Sequence, residues 1–396
     1  MFFELLQVAL GNRGRLSRVP SDKEWEEIYD ESRRQAVTGI LLHGIDRLPA
    51  EQRPSQAFLL QWIGTAQMIE QQNRVLDKRC EELLKMLKDK GLHGTILKGQ
   101  GIAKLYPNDN PNDNRNDNDN HNDNDNDNPN DNDNPNDNEK LKENNSGSYT
   151  SLAALRQPGD IDVYVDCGLK GAFEFAHSIG QKDVEWDYKH LHLNVWDDTE
   201  VEMHYRVEVL LNLWKNNSLQ KWFKSNTALL FSQKNGFATP TTLFNVFYIL
   251  LHIYRHFLYE GVGMRQIVDY YMVLRTVNDE KLSVGYALDA VSEFGIDKFA
   301  KGLMWVMHET LGMPKEWMLW KPDQKEGEYI LNQVLKGGNF GHYDERLKHT
   351  GGKLGAVKAI LTHNLHLLTH YPADTIWAPV WIVWHKMWKI TTRMAL

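Results

Sequence analysis

The sequence predicts an α+β fold, and three observations carry that prediction. Apolar residues recur at helical spacing over about 56–90, strand-like segments are confined to the middle of the chain, and helical patterning returns from Thr241 onward. The division that follows is a helical region over 1–90, a strand-bearing region over 91–210 with an insertion at 108–150, and a second helical region over 211–396. With 396 residues, 41% of them apolar, and 13 Trp, the chain has the material for a substantial core.

In chain order, Ser21-Asp22-Lys23-Glu24 reads as a capping box that opens a helix from Trp25 to Ala36. From Gln56 to Lys90, Leu59, Leu60, Ile63, Met68, Ile69, Val75, Leu76, Leu83, Leu84 and Leu87 form one apolar side, and Gly91 is the stop. Thr95-Ile96-Leu97 reads as a short buried strand, followed by Lys98-Gly99-Gln100-Gly101 and a helix through Ile102, Ala103, Leu105 and Tyr106. A strand, a glycine-containing turn and a helix start together offer backbone N–H groups to a phosphate, and Lys98 adds a point charge there. The same residues also suit a plain turn between strand and helix.

Residues 108–138 alternate Asn with mostly Asp, interrupted by Pro111, Pro129 and Pro135. Such a tract has no apolar surface to offset its chain entropy and reads as a disordered insertion in a surface loop, with 139–151 as its softer tail. A calcium loop is the lesser reading, because the glycine and closing Glu of an EF-hand are missing. Ten Asp against one Arg give the tract −9 of the chain's −8, so the remainder carries +1 and its bulk charge points to no partner.

Gln157-Pro158-Gly159-Asp160-Ile161-Asp162-Val163-Tyr164-Val165 places two carboxylates at i and i+2 where a strand begins, on the same face and a few ångströms apart. Like charges that close need a cation between them, and an oxygen-rich pair suits Mg²⁺ with substrate phosphates. The plainer reading is a turn and an ordinary strand with an acidic start. A helix follows over Gly168–Ile179, then His190–Trp196 and Thr199–Tyr205, each alternating with period two around Asp197-Asp198, the mark of a hairpin. Glu200, Glu202 and His204 share one face, which either presents Glu202 to the metal site or is a solvated face on an edge strand.

Leu243 to Leu258 reads as a helix with His252 and His256 one turn apart, followed by Gly261, Gly263, Arg265 and Asp269. Zinc is the weaker reading of the pair, since Ile253 stands where a His-Glu-x-x-His site has its Glu; a satisfied or substrate-facing pair is the stronger one. Residues 297–311 look helical, and Gly337–His342 reads as a flexible polar loop. The end, Trp377 to Trp388 with His385, Lys386, Lys389 and Arg393, can touch a membrane surface or a partner, although docking on the body of the protein is the commoner role of such a stretch. Two distant cysteines argue against a disulfide framework, the start lacks the pattern of a signal peptide, and no apolar run approaches the ~18 residues of a span. A cytoplasmic location is the expectation.

The order of these features resembles the nucleotidyltransferase superfamily with a DNA-polymerase-beta-like palm, and more narrowly the bacterial family of uncharacterised nucleotidyltransferases. The matching residues are Leu97-Lys98-Gly99, Arg156 with Gly159-Asp160-Ile161-Asp162-Val163, Glu202-Met203-His204-Tyr205-Arg206, and His252, His256, Arg265 and Asp269. The likeness runs from the helix near 60 to the Trp-rich end. It implies a small mixed sheet, the palm, with helices on one side and helical regions flanking it, and transfer of a nucleoside monophosphate from an NTP to an acceptor. It also implies two Mg²⁺ held by Asp160, Asp162 and Glu202, with nucleotide bound through Lys98, Gly99, Gln100, Gly101, Arg156, His204, Arg206, His252, His256, Arg265 and Asp269. Two departures are Gln100 where the superfamily usually has Ser, and Glu202 where Asp is commoner; the Asn/Asp tract is a third. Gln100 and Glu202 favour an alternative in which an inactive palm serves as a binding or scaffold module, such as one in surface-polysaccharide assembly. A third reading, a helical interaction protein with incidental acids, expects Asp160, Asp162 and Glu202 to lie apart.

Overall fold

The computed structural model describes residues 1–107, 151–232, 237–343 and 367–394; the Asn/Asp tract, with the readings of disorder and of a calcium loop, lies outside the described residues. Helices α1 (Phe2–Ala9), α2 (Asp22–Arg34) and α3 (Thr38–Arg47) lead into α4 (Gln56–Asp89). The capping box at the start of α2 is present: Ser21 Oγ accepts from the Glu24 N–H, and Glu24 Oε2 accepts from the Ser21 N–H at 2.9 Å. Gly91, at φ +75°, ends α4 in the left-handed conformation, and the Leu92 N–H turns back to Leu87 O at 2.9 Å.

The middle of the chain supplies β1 (Gly94–Ile96), α5 (Gln100–Ala103), β2 (Ile161–Val165), α6 (Gly168–Ser178), β3 (His190–Trp196) and β4 (Thr199–His204). The helix expected through Tyr106 is shorter, because Leu105 and Tyr106 leave it in tight turns and the Tyr106 hydroxyl reaches the carboxylate of Asp269. The sheet is mixed, in the order β1-β2-β4-β3: β1 is antiparallel to β2, β2 parallel to β4, and β4 antiparallel to β3. Alternation splits its faces. Ile161, Val163, Val165, Leu191, Leu193, Val201 and Met203 pack under Leu76, Cys80, Leu83 and Leu87 of α4 and Ala172, Phe175 and Ala176 of α6. Asp162, Glu202, His204, His190 and His192 are left on the opposite face.

Beyond the sheet come α7 (Leu213–Ser225), α8 (Thr242–Tyr259), α9 (Met264–Asp279), α10 (Gly285–Phe294), α11 (Asp297–Leu311), α12 (Gln324–Gly337) and α13 (Pro372–Arg393). Residues of α1–α3 and of α8–α12 share one hydrophobic core, in which Phe244, Phe247, Tyr270 and Tyr271 are fully buried. Segments distant in sequence therefore pack into one helical body. The segment expected as a polar loop at 337–342 carries Phe340 inward, its ring 5.4 Å from the Arg265 guanidinium and 5.5 Å from the His256 ring. The Trp-rich end docks on the body of the protein: Trp381, Trp384 and Trp388 of α13 meet Tyr188 edge-on at 5.3, 5.0 and 4.8 Å. Lys389 also donates to Trp186 O. Among the described residues, no helix is long and apolar enough to cross a membrane.

Candidate active site

The loop before β2 is held from outside the sheet. Arg156 grips Asp269 of α9 with both branches of its guanidinium, each at 2.7 Å, and the Tyr106 hydroxyl donates to the same carboxylate at 2.7 Å. Arg265, one turn earlier on α9, donates to the carbonyls of Gln157 (3.2 Å) and Pro158 (3.0 Å). A side chain at Gly159 would crowd Arg265 Nη1 at 3.3 Å, which is a packing reason for glycine there. The clamp delivers Asp160 to the end of the loop, partly exposed, while Asp162 one strand position further in is fully buried on the polar face.

Lys98, in the turn after β1, sits between the two acids, its Nζ 3.4 Å from Asp160 Oδ2 and 2.7 Å from Asp162 Oδ2. Gly99 makes this turn possible at φ +60°, and a Cβ on Gly101 would strike Ile96 O at 2.5 Å. The parallel register sets Glu202 of β4 beside Asp162. His204 Nε2 joins them, 2.9 Å from Asp162 Oδ1 and 3.2 Å from Glu202 Oε2, while its Nδ1 faces Arg206 O at 3.3 Å. Both ring nitrogens thus face acceptors, and the ring serves both as an imidazolium.

The electrostatics agree with this geometry. Burial works against ionisation of Lys98, but the charges of Asp160, Asp162 and Glu202 outweigh it and raise its pKa. Burial likewise opposes the charged forms of Asp162 and Glu202. Lys98 and the His204 hydrogen bond hold Asp162 below the usual carboxylate range, and His204 does most to hold Glu202 there. His204 is raised because its bonds to the two acids exceed its own burial penalty.

Other residues named from the sequence are spread around this cluster. Gln100 turns its side chain away to Asp77 Oδ1 (2.6 Å) on α4, so only its backbone faces the turn. Arg206 leaves the acids, donating to Tyr188 O at 2.7 Å and lying over the Tyr188 ring at 4.0 Å. His252 and His256 stack edge-on at 4.2 Å and are held by acids that sequence reasoning did not single out. His252 Nδ1 donates to Glu208 Oε2 at 3.0 Å, and His256 Nδ1 lies 2.7 Å from Glu260 Oε2. Fully buried Glu208 is matched by Lys189 (3.6 Å) and Arg255 (3.4 Å). Glu208 lies two residues past Arg206 and beyond the last strand, where no periodic pattern marks it.

This buried pair makes the fold acid-sensitive. Burial, reinforced by the neighbouring His256, pushes His252 down to about 3, and burial also lowers His256 against the pull of Glu260. Both rings are neutral in the fold but protonate in the unfolded chain below the ordinary 6.5. Their contribution to stability is present above 6.5 and is lost as pH falls towards the folded values. The loss is about 1.4 kcal/mol per pH unit from His252 over that range, and His256 adds to it in the same direction. His204, with its raised pKa, has its contribution in place below 6.5 and does not offset this. Urea unfolding at pH 7, 6 and 5 checks it: a midpoint that stays level over that range contradicts the prediction.

Two clefts meet at Gly159 and Asp160. One, of about 590 Å³, is lined by Arg33, Thr65, Arg265 and Phe340 along with the 157–160 loop. The other, of about 600 Å³, runs past Gln72, Arg79 and Thr199. Each is of the size that takes a small-molecule ligand. Arg33 and Arg79 are further cations the sequence did not advertise, because nothing local marks which surface arginines end up beside a cleft. Two carboxylates suit a hard cation: Asp162 and Glu202 carry oxygens within 4.8 Å of one another, and Asp160 joins them through Lys98 without falling in that group. Lys98 and His204 already supply positive charge in the space between.

The mixed sheet thus carries carboxylates on two parallel neighbours, is backed by a Lys-Gly turn and opens on two clefts at Asp160. The family model described as "Uncharacterised nucleotidyltransferase" matches residues 21–110 and 149–312. The chain belongs to that family. No curated protein and no solved structure matches it.

Proposed function

We propose that this protein transfers a nucleoside monophosphate from an NTP to an acceptor, with Asp160, Asp162 and Glu202 holding two Mg²⁺ ions. The observation that carries this reading is the register of β2 and β4, which sets Glu202 beside Asp162 while the Arg156–Asp269 clamp brings Asp160 to the mouth of the clefts. Mg²⁺, when bound, supplies charge neutralisation on the phosphates and a lowered pKa for the acceptor oxygen. Lys98 counters phosphate charge, and the Gly99 and Gln100 N–H groups, which donate to no backbone acceptor among the described residues, are free for phosphate oxygens. Arg265 and Arg33 line the same cleft and give the triphosphate further positive charge. His204 fixes the orientation of Asp162 and Glu202, so part of the barrier is lowered by positions set before substrate arrives.

The test is equilibrium binding of ATP, GTP, CTP and UTP with Mg²⁺ and with chelator, followed by mass spectrometry of a cell extract given labelled NTP. Tight binding that needs Mg²⁺, and a nucleotidylated product with released pyrophosphate, are expected; no binding of any of the four in Mg²⁺ overturns the reading. The scaffold alternative draws on one specific observation: Lys98 and His204 neutralise the acids without a metal. It expects no metal-dependent nucleotide affinity. The reading as a helical interaction protein expects Asp160, Asp162 and Glu202 to lie apart; against it, Asp162 and Glu202 share His204, while Asp160 reaches them only through Lys98.

A further inference from the structure

We propose that the polar face of the sheet carries a second, nitrogen-rich metal site, formed by His190, His192 and Glu202, which takes a zinc-class divalent ion. β3 runs antiparallel to β4, and the register places His192 opposite Glu202 and His190 opposite His204. Both histidines therefore stand on the face that carries the acids. The two Nε2 atoms point at one another 3.1 Å apart, and His190 Nε2 lies 3.4 Å from Glu202 Oε1. Ligand atoms of all three residues fall within 4.8 Å of one another.

These separations suit a tetrahedral ion. With bonds of 2.0–2.1 Å, neighbouring ligand atoms around zinc are about 3.3 Å apart. A bare hydrogen bond between the two rings also explains the 3.1 Å contact, but it does not explain what stands behind each ring. His192 Nδ1 lies 3.4 Å from Glu200 Oε1, and His190 Nδ1 faces Asp187 Oδ1 at 3.8 Å. Neither contact is a hydrogen bond, and His190 Nδ1 is a buried nitrogen without a hydrogen-bond partner among the described residues, so each carboxylate acts on its ring through charge while the Nε2 atoms are the ones that meet. Imidazole nitrogen selects zinc-class ions, whereas the all-oxygen set at Asp160 and Asp162 suits Mg²⁺. Two His and one Glu also leave a fourth position for water or a ligand group, and His192 is accessible from solvent.

Glu202 links this site to the first cluster. Its Oε1 faces His190 and its Oε2 faces His204 and, through it, Asp162. One carboxylate would thus touch both sites. The proposal goes beyond nucleotidyl transfer and does not depend on it, because a zinc-class ion held by His190 and His192 needs no nucleotide.

The test uses the full-length chain, stripped with chelator and titrated with Co²⁺ in the absence of nucleotide, reading the visible absorption of a tetrahedral ion and its displacement by Zn²⁺. The wild-type chain is expected to take up one Co²⁺ with that spectrum. His192→Ala should weaken uptake about 100-fold or more by removing a ligand, and Glu200→Gln about tenfold or less by removing the charge beside the ring. Both positions are solvent-accessible, so far-UV circular dichroism should show a fold unchanged by either. Asp162→Asn should retain the spectrum. A wild-type chain with no tetrahedral band overturns the proposal. So does uptake that survives His192→Ala and is lost in Asp162→Asn, since the ion then sits among the acids; a missing band says nothing against Mg²⁺ and NTP binding at the acids.

Discussion

Replacing Asp162 by Asn is expected to remove the Mg²⁺-dependent part of nucleotide affinity, about 100-fold or 2.7 kcal/mol, and to lower any turnover on the order of 10³-fold or more. The amide keeps the shape of the side chain but loses the charge that Lys98 and His204 answer at 2.7 and 2.9 Å. No water can substitute for it, because the side chain is fully buried. The fold should survive with a cost of about 1–3 kcal/mol, since Lys98 keeps Asp160 and His204 keeps Glu202. Asp160→Asn should match it in nucleotide affinity and cost less stability, its carboxylate being partly in water. An Asp162→Asn protein that binds NTP in Mg²⁺ within threefold of wild type, and turns it over, would remove this residue from the metal site.

The second large effect falls on stability. Asp269→Ala is expected to cost about 3–5 kcal/mol, because it strands a buried arginine. Arg156 is 4% exposed and its guanidinium would lose both bonds to Asp269, leaving the carbonyl of Gln157 as its one remaining acceptor among the described residues. Tyr106 would lose its acceptor as well. Arg265 adds to the cost: burial and the nearby Arg156 charge already push it down to about 10, and Asp269 does most to counter them, ahead of Asp160. The double variant Arg156→Met with Asp269→Leu removes both charges together and should recover most of the loss. Urea unfolding of the single and double variants measures the coupling; a single variant within 1 kcal/mol of wild type would show that the clamp carries little. Nucleotide affinity should fall alongside, as the clamp positions Asp160.

Legibility followed interaction range. The long helix α4, its stop at Gly91 and the Ser21 capping box were readable because each depends on residues within a few positions of one another. The hairpin β3–β4 was readable from its period of two, and the same alternation put Glu202 and His204 on one face. Asp160 and Asp162 were visible as a pair, although the Asn/Asp tract repeats their spacing many times. Lys98 was read as a phosphate ligand, and its place between the two acids came only with the fold. The i, i+4 spacing of His252 and His256 showed that the rings meet but not that Glu208 and Glu260 hold them.

Local periodicity and motif order carry the α+β class, the strand with Asp162, the face with Glu202 and membership of a nucleotidyltransferase family. Which strands are neighbours and which charges meet is set by packing across the chain. The parallel pairing of β2 with β4 joins Asp162 to Glu202, and Arg156 finds Asp269 across 113 residues of chain. The physical reason is that a buried charge must be neutralised wherever the packed chain brings an opposite one, and no short-range pattern encodes that meeting.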